Sequence, residues 1–326
     1  SFNGTANITV VDSTKAPLVS PALVNPTING VAQSGYTGFK NYIINGGFDV
    51  WQRGTSFTPI AAQQYTADRF LVEDRDGTST VSKITTGLPD GVAYGFKWSR
   101  TAPGTNSHQY IAHRIEYQRI LSGKTVVISM MVKNSVDRTC KFSMNGTTYD
   151  FETTTSWTKV SQVHTFPAGD IGAYYDIRID VKTDTANFDL EIAQVQLEQG
   201  SVATPFEQRP YGLELSLCQR YYEKLHLAAA GVVYSGQAIS TNAVACLIEF
   251  VEKRVAPSIS VGVVTNFATL NASGTPITCN NGAVSSINFA KAHITFTLST
   301  ASVVAGNASL IYALNSGASI VIDAEL

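Results

Sequence analysis

Much of the chain alternates apolar and polar residues with a period of two, the pattern of β-strands that bury one face. The segment YYDIRIDV at residues 174–181 is an example, with Ile177 and Ile179 separated by Arg178. Runs of this kind, divided by Gly, Asn and Asp turns, fill residues 41–209. Because no strand-helix alternation accompanies them, they predict a two-sheet β-sandwich.

One strand-like segment changes its phase. In residues 188–198 the apolar positions begin at Phe188, Leu190 and Ile192 and then move to Ala193, Val195 and Leu197. A strict period of two cannot keep both halves on one face of a sheet. The segment therefore predicts a β-bulge near Ile192.

A different period appears after the sandwich. In residues 211–225 apolar side chains recur at helical spacing, and Pro210 stands just before the first turn, where a missing N–H costs little. This predicts one amphipathic helix, within residues 210–226, that connects the sandwich to the rest of the chain. Residues 227–326 return to strand-like runs with Asn-Gly and Ser-Gly turns and predict a C-terminal β-domain.

The two ends of the chain are poor in charge. Residues 1–40 contain only three charged residues and are interrupted by Pro17, Pro21 and Pro26, which remove backbone donors and favour extended conformations. They predict an extended arm that packs on other chains, or alternatively a disordered linker. In residues 255–326 only Lys291, Asp323 and Glu325 are ionised. We expect part of this domain to be buried against other subunits, since so uncharged a surface is poorly soluble.

Composition supports an all-β chain. The 326 residues suffice for roughly two domains, and their charged fraction of 15% is low against about 25% in average proteins. Surface helices normally carry more charge than this.

The net charge is −2 and Lys and Arg are scattered, which argues against nucleic acid as a partner. Apolar runs are too short for membrane insertion. Ser1 in place of Met predicts the distal part of a longer polypeptide.

Signs of metal, cofactor or catalytic chemistry are weak. Cys140, Cys218, Cys246 and Cys279 form no CxxC pair, so we expect buried free thiols, with two disulfides as the alternative. The sequence has no GxSxG or phosphate-binding glycine loop. The acidic cluster of residues 73–76 is typical of a strand end followed by a polar turn. We therefore expect no catalytic residues, no metal, no cofactor and no enzymatic activity.

A carbohydrate-binding site needs aromatic rings that stack on sugars, beside amides and hydroxyls that form hydrogen bonds with them. Such a site has no distinctive sequence motif. Trp98 and Tyr110 flank a polar loop-like stretch, with Tyr94, Asn106 and Gln109 nearby in sequence. These five residues are the candidate sugar-binding set. The competing interpretation places the aromatic residues in the sandwich core, which is also where we expect Trp51.

Several segments resemble one protein family. The opening SFNGTANIT and the following KAPLVSPAL resemble shaft segments of tailed-bacteriophage tail fibres. NYIINGGFDVWQRG at 41–54, ADRF at 67–70 and QLEQGSVATPFEQRP at 196–210 resemble a jelly-roll module found near the ends of such fibres, which is similar to carbohydrate-binding modules. LSLCQRYYE at 215–223 is its usual sequel, and RVAPS at 254–258 is similar to the family's terminal domains.

The resemblance implies the distal part of a tail fibre, or receptor-binding protein, on an extracellular virion. It implies a homotrimer with a shaft at 1–40, a jelly-roll sandwich at 41–209, a connecting helix at 210–226 and a C-terminal tip at 227–326. Its expected partners are other tail or baseplate proteins and a bacterial surface glycan or outer-membrane receptor. Some relatives hold calcium near positions comparable to Asp49 and Glu198, but the carboxylates here are too sparse to predict a metal.

Three functions remain open at this point. The first is host attachment by multivalent glycan binding. The second is a structural fibre or collar protein whose sandwich only spaces other components. The third is a polysaccharide depolymerase that uses carboxylates such as Asp74 and Asp76 as acid and base.

Overall fold

The computed structural model describes residues 27–28, 31–32, 39–60, 63–75, 77–102, 109–181, 187–226, 232–271 and 273–326. The chain divides into two units, residues 1–40 and residues 41–326. In the first unit, β1 (Thr27–Ile28) and β2 (Val31–Ala32) form an antiparallel pair. The rest of the arm predicted for 1–40 lies almost wholly outside the described residues.

Twelve strands of the second unit form a β-sandwich. They are β3 (Ser56–Phe57), β4 (Gln63–Tyr65), β5 (Phe70–Asp74), β6 (Thr78–Ile84), β7 (Gly95–Ala102), β8 (Gln109–Glu116), β9 (Thr125–Asn134), β10 (Arg138–Met144), β11 (Thr147–Thr153), β12 (Thr158–Thr165), β13 (Tyr174–Val181) and β14 (Phe188–Gln199). The front sheet has the order β11-β10-β13-β8-β5-β4 and the back sheet has the order β12-β9-β14-β7-β6-β3. All neighbours are antiparallel. The predicted β-sandwich is confirmed.

The alternating sequence of each strand accounts for the core. In β13 every second residue from Tyr175 to Val181 is buried between the sheets, and the residues between them are half-buried on the outer face. Phe48, Phe70 and Phe96 meet at one end of this core, with ring centroids 4.6 to 6.4 Å apart. The predicted half-buried strand at 174–181 is confirmed.

The predicted bulge also occurs. Between Ala193 and Gln196, β14 advances three residues while its partner β9 advances two, from Met131 to Ser129. Gln194 has a φ of 53°, the left-handed conformation that such an insertion favours. The bulge keeps Ile192 and Val195 both in the core despite the change of phase.

The predicted helix is shorter than its apolar pattern. Helix α1 spans Tyr211–Gln219, and a strand, β15 (Tyr222–His226), follows it at once. The prediction that the helix continues to residue 226 is therefore wrong. The reason is tertiary pairing, since Tyr222 and Leu225 lie opposite Asp323 and Ile320 on a strand from the far end of the chain. Aromatic and aliphatic residues suit such a half-buried strand as well as a helix.

The C-terminal part contains a closed barrel and a small sheet. Its remaining strands are β16 (Val232–Ser240), β17 (Ala243–Glu249), β18 (Ser258–Val261), β19 (Phe267–Leu270), β20 (Pro276–Ile287), β21 (Lys291–Leu298), β22 (Ala308–Ala313) and β23 (Ser319–Asp323). The barrel has the order β16-β17-β21-β20-β19-β22, and the sheet has the order β15-β23-β18. Two short 3-10 helices lie at Gln118–Ile120 and Val264–Asn266. The described chain is thus almost entirely β, as predicted.

Charged groups join the sandwich to the C-terminal part. Glu325 pairs with Arg69 and, at 3.3 Å, with Arg53 of the sandwich. The buried Lys253 Nζ lies 2.6 Å from Glu223 and donates to the Gln219 carbonyl at the end of α1. A cation in this position satisfies a helix carbonyl that has no partner within the helix.

The remaining structural expectations concern cysteine and membranes. All four cysteines are buried free thiols, as predicted. Among the described residues, helices long and apolar enough to span a bilayer do not occur.

A buried ion pair fixes α1 against the start of the sandwich, and it leads to a prediction. Arg209 donates to Glu214 at 3.2 Å and to the carbonyls of Asn41 and Ile43. Replacing Arg209 with Met leaves a buried carboxylate without its cation, so we expect Arg209→Met to lower the free energy of unfolding by about 3–5 kcal/mol. Urea denaturation measures this loss.

The control is Lys291→Met, which removes the exposed ion pair with Glu249 on the barrel. Exposed pairs contribute little, so the urea midpoint of this variant is expected to stay at the wild-type value. Equal midpoints for Arg209→Met and wild type would contradict the role given to the buried pair.

Candidate functional site

The outer face of the front sheet carries an ordered set of charges. On β13, Asp176 and Arg178 point outward, and the Arg178 Nη2 lies 2.7 Å from the Asp176 Oδ2. Arg114, from the neighbouring strand β8, donates its Nε to the other oxygen of Asp176 at 3.1 Å. Two guanidinium groups therefore hold one carboxylate in a fixed orientation.

A pocket of about 290 Å³ opens on this face. It is lined by Ser143, Asn145, Gly146, Tyr174, Tyr175, Asp176 and Arg178. Asn145 and Gly146 form the turn between β10 and β11, with φ values of 48° and 80°. Asn-Gly is the sequence that favours a two-residue hairpin turn with positive φ at both positions. The turn thus brings an amide beside the hydroxyl of Ser143 and the charges of β13.

Two tyrosines of this face are each covered on one side by arginine. The Arg178 Cζ lies 4.3 Å from the ring centroid of Tyr110, and the Arg114 Cζ lies 4.8 Å from that of Tyr174. Tyr110 is buried and donates its hydroxyl to Glu73, whereas Tyr174 is half-exposed at the pocket. Burial and the hydrogen bond to Glu73 raise the pKa of Tyr110 to about 12. Tyr174 is therefore the ring of this pair that a ligand in the pocket can reach.

A third carboxylate of this face, Asp180, has a raised pKa. Asp180 lies opposite Lys141 on β10 and Tyr110 on β8. Burial raises its pKa to about 6, although the positive charges of Arg178 and Lys141 oppose the shift. The outer face consequently gains negative charge as the pH rises through about 6.

The structure separates the five residues predicted to bind sugar. Tyr110 lies on the outer face described above, while Tyr94 is half-buried against the core with the Lys83 Nζ 3.6 Å from its ring centroid. Trp98 and Gln109 are fully buried. Asn106 lies outside the described residues. These positions do not form one exposed surface.

For Trp98 the predicted role in stacking on a sugar is wrong. Its ring packs edge-on against Phe188 inside the sandwich, with centroids 5.3 Å apart. Alternate residues of a strand point to opposite faces, so Trp98 shares the inner face of β7 with Phe96. Gln109 likewise faces inward, where it accepts a hydrogen bond from Arg100.

Sequence reasoning missed the residues that line the pocket. The sequence identifies Asp176 and Arg178 only as outward residues of a strand that buries one face, and Tyr174 is not among the predicted site residues. The useful signals were the Asn145-Gly146 turn and the tyrosine at the start of a strand with alternating charges. The turn and the tyrosine come together only because β10 pairs with β13, which places Ser143 opposite Arg178.

The acidic cluster does not form a pair of facing carboxylates. Glu73 points to the outer face, where it receives hydrogen bonds from Tyr110 and Gln63. Asp74, the next residue of β5, is buried. Successive strand residues face opposite sides, so these two carboxylates do not converge on one substrate. Asp76 lies outside the described residues.

The described residues contain no group of three or more His, Cys, Asp or Glu side chains placed to hold a metal ion. At the position compared with calcium-binding relatives, Glu198 accepts hydrogen bonds from Gln196 and from the backbone and hydroxyl of Thr204, at 2.7 to 2.8 Å. Protein donors therefore occupy the oxygens of Glu198.

Comparisons with family models and with curated proteins gave no match. Among solved structures, the chain is similar to a CBM4 domain, at 18% identity and a TM-score of 0.32 over 48% of this chain and 98% of that one. It is similar to the CBM22-1 xylan-binding domain from Paenibacillus barcinonensis, at 16% identity and a TM-score of 0.31 over 45% and 95% of the two chains. It is also similar to tailspike protein 4 of bacteriophage CBA120, at 13% identity and a TM-score of 0.33 over 49% and 21%.

The acidity of Asp180 gives a prediction for the site. We expect its carboxyl to titrate near pH 6 in the folded protein, as followed by its side-chain carbon signal in NMR. Lys141→Met should move this midpoint to higher pH, because it removes a cation that stabilises the ionised form. Lys291→Met, on the barrel, is the control and should leave the midpoint unchanged. A midpoint near the ordinary value of about 4 would refute the prediction.

Proposed function

We propose that the chain binds a carbohydrate on the outer face of the front sheet. The observation that carries this proposal is the pocket where the half-exposed ring of Tyr174 meets the Asp176–Arg178 pair and the polar groups of Ser143 and Asn145. A sugar has apolar ring faces that pack on aromatic rings and hydroxyls that need oriented donors and acceptors. This pocket offers both within one surface.

We further propose that the site binds without catalysis. Both oxygens of Asp176 already accept hydrogen bonds, from Arg114 at 3.1 Å and from Arg178 at 2.7 Å, so this carboxylate is a fixed acceptor within a salt-bridge network. Glu73 and Asp74, the other acidic candidates, lie on opposite sides of the front sheet. Glycoside hydrolysis normally uses two carboxylates that flank one bond.

The biological setting we propose is host attachment by a bacteriophage tail fibre. Its support is the resemblance of the segments at 1–23, 41–54, 196–210 and 215–223 to tail-fibre sequences. In this proposal the chain is the distal part of a homotrimeric fibre on the virion and its ligand is a glycan of the bacterial surface. Linked weak sites gain about 10²- to 10⁴-fold in avidity, so each pocket needs only modest affinity.

A structural role in the fibre is the second candidate. It is favoured by the burial of Trp98 and Tyr110, the aromatic residues from which the sequence predicted a sugar surface. In that case the sandwich is a spacer and the outer face of the front sheet has no ligand.

Loss of binding in pocket variants distinguishes these functions. We expect the labelled protein to bind selected bacterial strains, with binding lost after periodate oxidation of surface sugars. Tyr174→Ala and Arg178→Ala should each weaken binding by about tenfold or more, since each removes a main contact of the proposed pocket.

The matched control is Lys97→Ala, which removes a half-buried cation from the outer face of the back sheet, where it pairs with Asp189 at 2.8 Å. It should bind as wild type does. Wild-type binding by both pocket variants would contradict the proposed site, and no binding to any strain of a panel that includes the host would favour the structural role.

The proposed trimer is tested separately. The outer surface of the barrel exposes Leu247 by 50% and Leu310 by 43%, on strands that both flank β16. Exposed apolar side chains on a surface with few charged groups are suited to burial between copies. We expect a trimeric mass by light scattering, and a shift toward the monomer in Leu247→Glu and Leu310→Glu. A monomeric wild-type protein with residues 1–40 intact would contradict the proposal.

A further inference from the structure

Tyr117 has a backbone conformation that bulky residues rarely adopt. It follows the last residue of β8, with φ 61° and ψ 97°. In this left-handed region the Cβ of an ordinary residue is crowded, and such residues persist only where their surroundings enforce them. Conformations of this kind concentrate at ligand sites, which makes Tyr117 a candidate ligand contact.

Four hydrogen bonds enforce the conformation. The Tyr117 N–H donates to the Ala173 carbonyl at 2.7 Å and the Gln118 N–H to the Gly172 carbonyl at 3.1 Å. The Gln118 side chain donates to the Tyr174 carbonyl at 3.1 Å and accepts from the Gly172 N–H at 2.6 Å. A Cβ on Gly172 would lie 2.3 Å from the Gln118 Oε1, so this close contact requires glycine.

The ring of Tyr117 is exposed but oriented. It is 43% exposed, and the Arg119 Cζ lies 5.2 Å from its centroid. Burial alone would raise the pKa of Glu116, the residue before Tyr117, but a hydrogen bond from Tyr221 and the charge of Arg220 lower it. The guanidinium of Arg119 thus restrains an exposed aromatic ring at a strand end.

Tyr117 lies beside the candidate pocket. Glu116, the residue before it, is directly opposite Tyr174 in the pairing of β8 with β13. The Tyr117 N–H donates to the carbonyl of Ala173, the residue before Tyr174. The two tyrosine residues therefore occupy neighbouring backbone positions at the same end of the front sheet.

We propose that Tyr117 is a second stacking platform of the glycan site, and that the ligand is an extended oligosaccharide that contacts the pocket at Tyr174 and Tyr117 together. This inference rests on the proposed function. A single terminal sugar would occupy the pocket alone and leave Tyr117 unused. The segment that presents Tyr117 holds its ring in position before binding, which reduces the entropy lost when the second sugar unit is bound.

The test compares ligands of graded length. The probes are oligosaccharides, from the monosaccharide to the hexasaccharide, released from the surface polysaccharide of a strain that the wild-type protein binds, and affinities are measured by calorimetry. We expect wild-type affinity to rise with length beyond the monosaccharide. Tyr117→Ala should remove most of this rise, with about tenfold weaker binding of the hexasaccharide and unchanged binding of the monosaccharide.

Two further variants separate stacking from structural effects. Tyr117→Phe keeps the ring and should retain the dependence on length, whereas Tyr117→Gly relaxes the backbone, removes the ring and should behave as Tyr117→Ala does. Circular dichroism and thermal unfolding verify that each variant is folded.

Equal affinity of wild type and Tyr117→Ala for the hexasaccharide would overturn the inference and leave the proposed function standing. If Tyr174→Ala also binds as wild type does, or if the wild-type protein binds none of the oligosaccharides, the proposed site fails and the inference fails with it.

Discussion

The site depends on one constraint, namely the side of the sheet to which each strand residue points. In the front sheet, Tyr175, Ile177 and Ile179 fill the core, so Asp176 and Arg178 must face outward. The antiparallel register then brings Arg114 and Ser143 beside them from the neighbouring strands. The same requirement that builds the core therefore assembles the polar face, and a shift of one residue in the register would bury the charges and expose the core.

Charged contacts between the sandwich and the C-terminal part add a second constraint. Glu325, near the end of the described chain, pairs with Arg53 and Arg69 of the sandwich, while Lys253 joins the end of α1 to Glu223. Buried pairs of this kind are costly to break because each partner left alone is an uncompensated charge. The pocket thus belongs to a sandwich whose position against the C-terminal part is fixed by ion pairs rather than by apolar contact alone.

Periodicity predicted the parts of the fold that depend on local pattern, such as the β-sandwich and the bulge near Ile192. It failed where long-range pairing overrides the pattern, as at Tyr222, which pairs with Asp323 in a sheet instead of continuing α1. The site was harder to predict. Of the predicted residues, Tyr110 lies on the outer face of the front sheet but is buried, and Trp98 lies in the core, because the sequence alone does not show which face of β7 is internal. Tyr174 and Asn145 come together only through the pairing of β10 and β13.

We propose that a glycan binds on the outer face of the front sheet. Hydrogen exchange of the whole protein, with and without polysaccharide from a strain that it recognises, tests this directly, because bound ligand slows exchange of the amides that it covers. We expect slower exchange in residues 143–146 and 174–178 and unchanged exchange in the strands of the back sheet. Slower exchange confined to the barrel, with the front sheet unchanged, would contradict it.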